Sequence, residues 1–265
     1  MNARFAAPQE PQPQRQESLP ACGLLPPIDP SSTLDQTFQT ALRLHQAGQP
    51  QAARPLYERI LQTCPTHAGA WHLLGVTWQQ DNQPDQAAEC ISRALALDNS
   101  KPPYHNNYAV ALRALGRLPP AQQALERALA LQPNYPDAHA NLGLVLQDQG
   151  QYSQAIARFQ RALALQPGHA DALFNLANLL QELGRRSEAI ALYRQLLQQH
   201  PQHAGAHNNL GNALLAEHQT APAIAAYQQA LTLQPAYAEA QLNLATAYAE
   251  AERLSEATEC PGRGR

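Results

Sequence analysis

His200, His203 and His207 form the densest set of potential metal donors in this 265-residue chain. Two imidazoles four residues apart on a helix can share an ion. Both members of that pair, however, belong to longer series. His67, His169 and His203 share one register and His105, His139 and His207 another, each recurring at 34 residues or a multiple of it. Repetition accounts for them without a metal, and no metal or other cofactor is expected. Asparagine repeats more strictly: Asn107, Asn141, Asn175, Asn209 and Asn243 stand 34 apart, with Asn178 and Asn212 three residues beyond two of them. An amide side chain both donates and accepts, so a row of them can pair with a peptide backbone whatever the peptide's sequence. These seven asparagines are the candidate peptide-binding residues. Five hydrogen bonds of about 0.5–1.5 kcal/mol each fall short of the roughly 8 kcal/mol behind micromolar binding, so side-chain pockets must supply the rest.

Catalytic signatures are missing. The chain has no phosphate loop, no Gly-x-Ser-x-Gly elbow, no His-Glu-x-x-His and no Ser/His/Asp or Cys/His set outside the periodic positions. Cys22, Cys64, Cys90 and Cys260 are far apart and form no Cys-x-x-Cys pair, so they read as free thiols. Catalysis by this chain alone is not expected.

The elements that position the asparagines follow from the same period. From Leu34 onward the units are 34–67, 68–101, 102–135, 136–169, 170–203 and 204–237, with a partial seventh over 238–265. Pro65, Pro133, Pro167, Pro201 and Pro235 stand in register near the unit ends, where proline must stop a helix. Within each unit two blocks of helical apolar spacing flank a polar turn that usually holds Gly48, Gly116, Gly150 or Gly184. Each unit is therefore a helix hairpin. In the fourth the pattern predicts helices over about 137–149 and 153–165, the second N-capped by Ser153.

Small residues recur at the eighth position (Ala41, Gly75, Ala109, Gly143, Ala177, Gly211, Ala245), where two helices must approach closely. Bulky ones recur at the twenty-fourth (Tyr57, Ile91, Leu125, Phe159, Tyr193, Tyr227). A lone hairpin cannot bury such a face, so neighbours must stack. With Trp71, Leu74, Gly75, Trp78, Ala87, Ile91 and Ala94 in the second unit, the pattern resembles the tetratricopeptide repeat (TPR) family over about 34–260. The resemblance implies an all-α fold, an α-solenoid wound as a right-handed superhelix of TPR helix hairpins. It also implies a groove lined by the first helices, where a protein or peptide partner lies. Similar asparagine ladders occur in the TPR region of O-GlcNAc transferases. The basic clamp by which some TPR domains hold a C-terminal carboxylate is missing here.

Composition narrows the remaining classes. Net charge is −3 and the basic residues, all arginine but for Lys101, are scattered, so no stripe exists to neutralise phosphates and nucleic-acid binding is not expected. No apolar run is long enough to span a bilayer, and residues 1–33 form a Pro/Gln-rich leader expected to be disordered, so a cytoplasmic location without membrane contact is expected. Pro261 falls inside the seventh unit's second helix. That break suggests an uncapped end open to self-association, or a piece of a longer protein. The expectation is a protein-interaction scaffold. The alternative is the substrate-recruiting front of a bacterial transferase: an O-GlcNAc transferase-like glycosyltransferase, a sulfotransferase or a methyltransferase.

Overall fold

A computed structural model describes residues 33–259. All of the leader but Thr33 lies outside the described residues, as do Cys22, Cys260 and Pro261. Among the described residues the chain is a succession of α-helices with no strand. Six hairpins come first: α1 (Leu34–Gln46) with α2 (Pro50–Thr63), α3 (Ala68–Gln80) with α4 (Pro84–Leu97), α5 (Pro102–Ala114) with α6 (Leu118–Leu131), α7 (Pro136–Asp148) with α8 (Tyr152–Leu165), α9 (Ala170–Glu182) with α10 (Arg186–Gln199), and α11 (Ala204–Ala216) with α12 (Thr220–Leu233). A thirteenth helix, α13 (Ala238–Glu259), closes the series. None of these helices is long and apolar enough to cross a membrane.

Every hairpin turns on one residue in the left-handed region. Four of the six are glycines, with φ between +69° and +77°; the other two are Asn82 (φ 55°) and His218 (φ 58°). In the fourth hairpin Gly150 N–H donates to Gln147 O (2.9 Å) and Gln151 N–H to Leu146 O (2.8 Å), a Schellman arrangement that satisfies carbonyls the helix end leaves open. The residue after the turn is the cap of the second helix, so α8 starts at Tyr152 and its cap is Gln151, which makes no side-chain capping bond. The Ser153 cap expected from the sequence is thus displaced: Ser153 is already inside the helix, because the left-handed turn at Gly150 and not the nearest hydroxyl sets where helical dihedrals begin.

Glycine at the eighth position lets the hairpins close. A Cβ on Gly143 would lie 2.7 Å from the Phe159 ring, and one on Gly75 or Gly211 would collide with Ile91 or Tyr227. Phe159, Ile91, Tyr227, Tyr57, Leu125 and Tyr193 are all fully buried. Each removes the greater part of its apolar surface from water, worth about 1.5–3 kcal/mol per side chain.

The seventh unit differs from expectation. Instead of an interrupted hairpin it is the single 22-residue helix α13. At the turn position stands Glu252, which disfavours the left-handed conformation, so the helix runs straight through. Beyond contacts between consecutive helices, first helices touch one another along the series α3, α5, α7, α9, α11 and α13. Second helices do not meet in this way, so the first helices form the shorter, inner arc of the solenoid.

Candidate binding surface on the inner face

The histidines that suggested chemistry hold backbone instead. The Nδ1 atoms of His67, His169 and His203 accept from the N–H groups of Ala70, Ala172 and Ala206 at 3.0, 3.3 and 3.0 Å, capping α3, α9 and α11. The Nε2 atoms of His105, His139 and His207 meet the carbonyls of Asn99, Pro133 and Pro201 at 2.9–3.0 Å, six residues back. Trp71 and Gln241 donate to Pro65 and Pro235 in the same way. Unit five has Leu173 there, and Gln195 donates to Pro167 O instead. One recurring orphan carbonyl, left where proline ends the second helix, explains the register. One ring nitrogen of His203 and one of His207 are thus engaged with backbone.

Asn107, Asn141, Asn175, Asn209 and Asn243 lie half-buried on α5, α7, α9, α11 and α13 of the inner row. Four of the five amides reach back to the preceding unit. Asn141 Nδ2 donates to Asn106 Oδ1 (2.9 Å), Asn209 Nδ2 to Asn178 Oδ1 (2.9 Å) and Asn243 Nδ2 to Asn208 Oδ1 (3.0 Å), while Asn107 Nδ2 meets His72 Nε2 at 3.0 Å. Asn178 also accepts from the Tyr193 hydroxyl (2.6 Å), and Asn212 accepts from Tyr227 (2.8 Å). Burial pushes the Tyr227 phenol up to about 12 and Tyr193 higher still, which keeps both as donors. The ladder therefore joins units to one another, at about 0.5–1.5 kcal/mol per bond. Asn106 and Asn208, one residue before ladder positions, are buried acceptors that the sequence reading missed.

Asn175 is the exception, with no hydrogen bond to another described residue. It lines a cleft of about 290 Å³ on the inner face with Asn107, Asn141, Asp137 and Asp171. His169 Nε2 donates to Asp137 (2.9 Å) and fixes one wall. Chemically the cleft offers amide donors and acceptors, two carboxylates, and the side chains of Val110 and Leu144. It can hydrogen-bond a polypeptide and accept its polar side chains.

Comparison with known proteins agrees with this architecture. Family models described as "Tetratricopeptide repeat" match residues 44–111 and 146–210, and 208–259; one described as "TPR repeat" matches 109–150. No match was found among curated proteins. Among solved structures, a chain of the APC/C hetero-tetramer Cut9-Hcn1 is 21% identical with a TM-score of 0.74, over 81% of this chain and 42% of that one, so this chain spans less than half of its length. PilW, a type IV pilus biogenesis factor, is 24% identical (TM-score 0.72, 80% and 98% covered), and Pseudomonas aeruginosa PilF 26% identical (TM-score 0.67, 80% and 97% covered). A glycine- or alanine-notched hairpin repeated every 34 residues, matched by these family models over most of its length, makes the chain a member of the tetratricopeptide repeat family.

Proposed function

We propose that the chain is a protein-interaction scaffold whose inner face holds a peptide or protein segment of a partner. The observation that carries this is Asn175, an amide with no hydrogen bond to another described residue in the middle of a ladder whose other members are bonded, and set in a cleft lined by Asp137 and Asp171. Half-buried, that amide meets water in the free chain, and a bound backbone that replaces the water gains about 0.5–1.5 kcal/mol per hydrogen bond. Asn141 and Asn107 flank it, and Asn209, Asn243, Asn178 and Asn212 continue the same face. Nothing in the cleft favours the transferase-recruiting alternative.

The test separates recognition from architecture. Binders of the full chain are selected from an array of 12-residue peptides and mapped by hydrogen exchange. Asn175→Ala is expected to weaken their binding about tenfold while leaving the melting temperature unchanged. Asn141→Ala and Asn209→Ala, which break bonds between units, are expected to lower stability by about 1 kcal/mol each. Binders that map away from α5–α9, or that ignore Asn175→Ala, refute the proposal.

A further inference from the structure

The last helix exposes a face that the other six units cover. Leu242 is 68% and Tyr248 45% exposed, the two most exposed large apolar residues among those described. With Ala245 and Ala249, also exposed, they form a stripe about 120° wide along α13. Its centre, Ala245, is an eighth-position residue. In each preceding unit that position is covered by the bulky residue of the second helix of the same hairpin: Ala177 and Tyr193 are both fully buried in unit five, as are Ala41 and Tyr57 in unit one. Among the described residues no helix does this for α13. Six internal examples thus show what chemistry fits: an amphipathic helix presenting one large side chain to a small notch.

Charge chooses between the helices that could come. Across its whole length α13 has five glutamates and one arginine. Packing two copies of α13 face to face would set like charges together, at a cost that falls with salt. We infer that α13 is a docking surface for a basic amphipathic helix of a partner protein, which completes the seventh hairpin in trans. An aromatic side chain of that helix sits over Ala245 between Leu242 and Tyr248, and its cations face the acidic rim of α13 at Glu239 and Glu250. This surface is separate from the inner-face cleft and does not depend on it.

The chain itself supplies a probe: a synthetic peptide of the α10 sequence, residues 186–199, which carries a tyrosine matched to an alanine notch and a net charge of +1. Titrated into the full chain, it is expected to slow amide exchange over residues 238–252. Its binding should weaken at least tenfold with Leu242→Asp in the chain or Tyr193→Ala in the peptide, and should weaken as salt is raised. Leu242 is exposed, so Leu242→Asp folds as the parent does, which melting verifies. Absence of binding, or binding indifferent to both changes, overturns the inference. So does a concentration-dependent dimer of the free chain that Leu242→Asp dissociates, since the occupant is then a second copy. Exchange over α13 already as slow as over α11 in the free monomer, and quickened by removing residues 260–265, also overturns it, because the chain's own tail then covers the face.

Discussion

At the scale of single residues, the array contains one imidazole whose ionisation its packing opposes strongly. His72 is buried, stacked on Tyr104 with ring centroids 4.3 Å apart, and its Nε2 accepts from Asn107 Nδ2. Burial, with a smaller contribution from His45, lowers its pKa to about 4. An unfolded histidine titrates near 6.5, so between these values the unfolded chain binds the extra proton. The contribution of neutral His72 to stability is complete at neutral pH and is lost progressively as pH falls from about 6.5 to 4. From pH 7 to pH 5 the loss should be about 2 kcal/mol. His72→Gln retains an acceptor for Asn107 but cannot titrate, so urea unfolding at the two pH values should show that much less difference; an unchanged difference would place the sensitivity elsewhere. Backbone strain makes a second prediction. His218 holds φ 58° where four other units use glycine. His218→Gly should stabilise by about 0.5–1 kcal/mol and Gly150→Ala destabilise by about 1 kcal/mol. These left-handed positions were partly legible in the sequence, because glycine marks them, but His218 carries no such mark. The pairing of Asn141 with Asn106 was not legible, because the bond joins side chains 35 residues apart and depends on how two units stack.

At the scale of elements, helix ends were readable from the register prolines and turn glycines, and the start of α8 was misread by one residue for want of the turn geometry. The notch was readable as a size rule, and the structure shows how tight it is. With Phe159 already 2.7 Å from where a Cβ on Gly143 would sit, Gly143→Val must push α7 and α8 apart or drive the ring off its rotamer. The expected loss is about 1–3 kcal/mol. The companion change Phe159→Ala opens room opposite the valine, so the double variant should lose less than the sum of the two single changes. Additive losses in urea denaturation would mean that the two side chains do not face each other in solution. The single helix of the seventh unit follows from an element-level cause as well, since Glu252 takes the place of a turn residue and helix propagation wins.

At the scale of the molecule, the substantial contacts among the described residues join helices that are neighbours or next neighbours, so the array is a one-dimensional chain of similar interfaces. Its stability should then be a sum of unit and nearest-neighbour contributions rather than the property of one closed core. Removing residues 136–169, one whole unit, joins Tyr135 to Ala170 in the same register. Asn175 then takes the place of Asn141 beside Asn106. Leu173 replaces His139 and leaves the Pro133 carbonyl without its donor, but Gln195 comes into the position from which it now serves Pro167. The shortened chain should therefore fold with the same helical content per residue. Its urea m-value should fall roughly in proportion to the length removed, and its midpoint should drop modestly because one interface is lost. A globular core would respond differently, since deleting two of its helices exposes apolar surface on every side. Loss of most of the ellipticity, or of a cooperative transition, in the shortened chain would show that units far apart depend on one another, and the repeat would then be a pattern in the sequence without being the unit of folding.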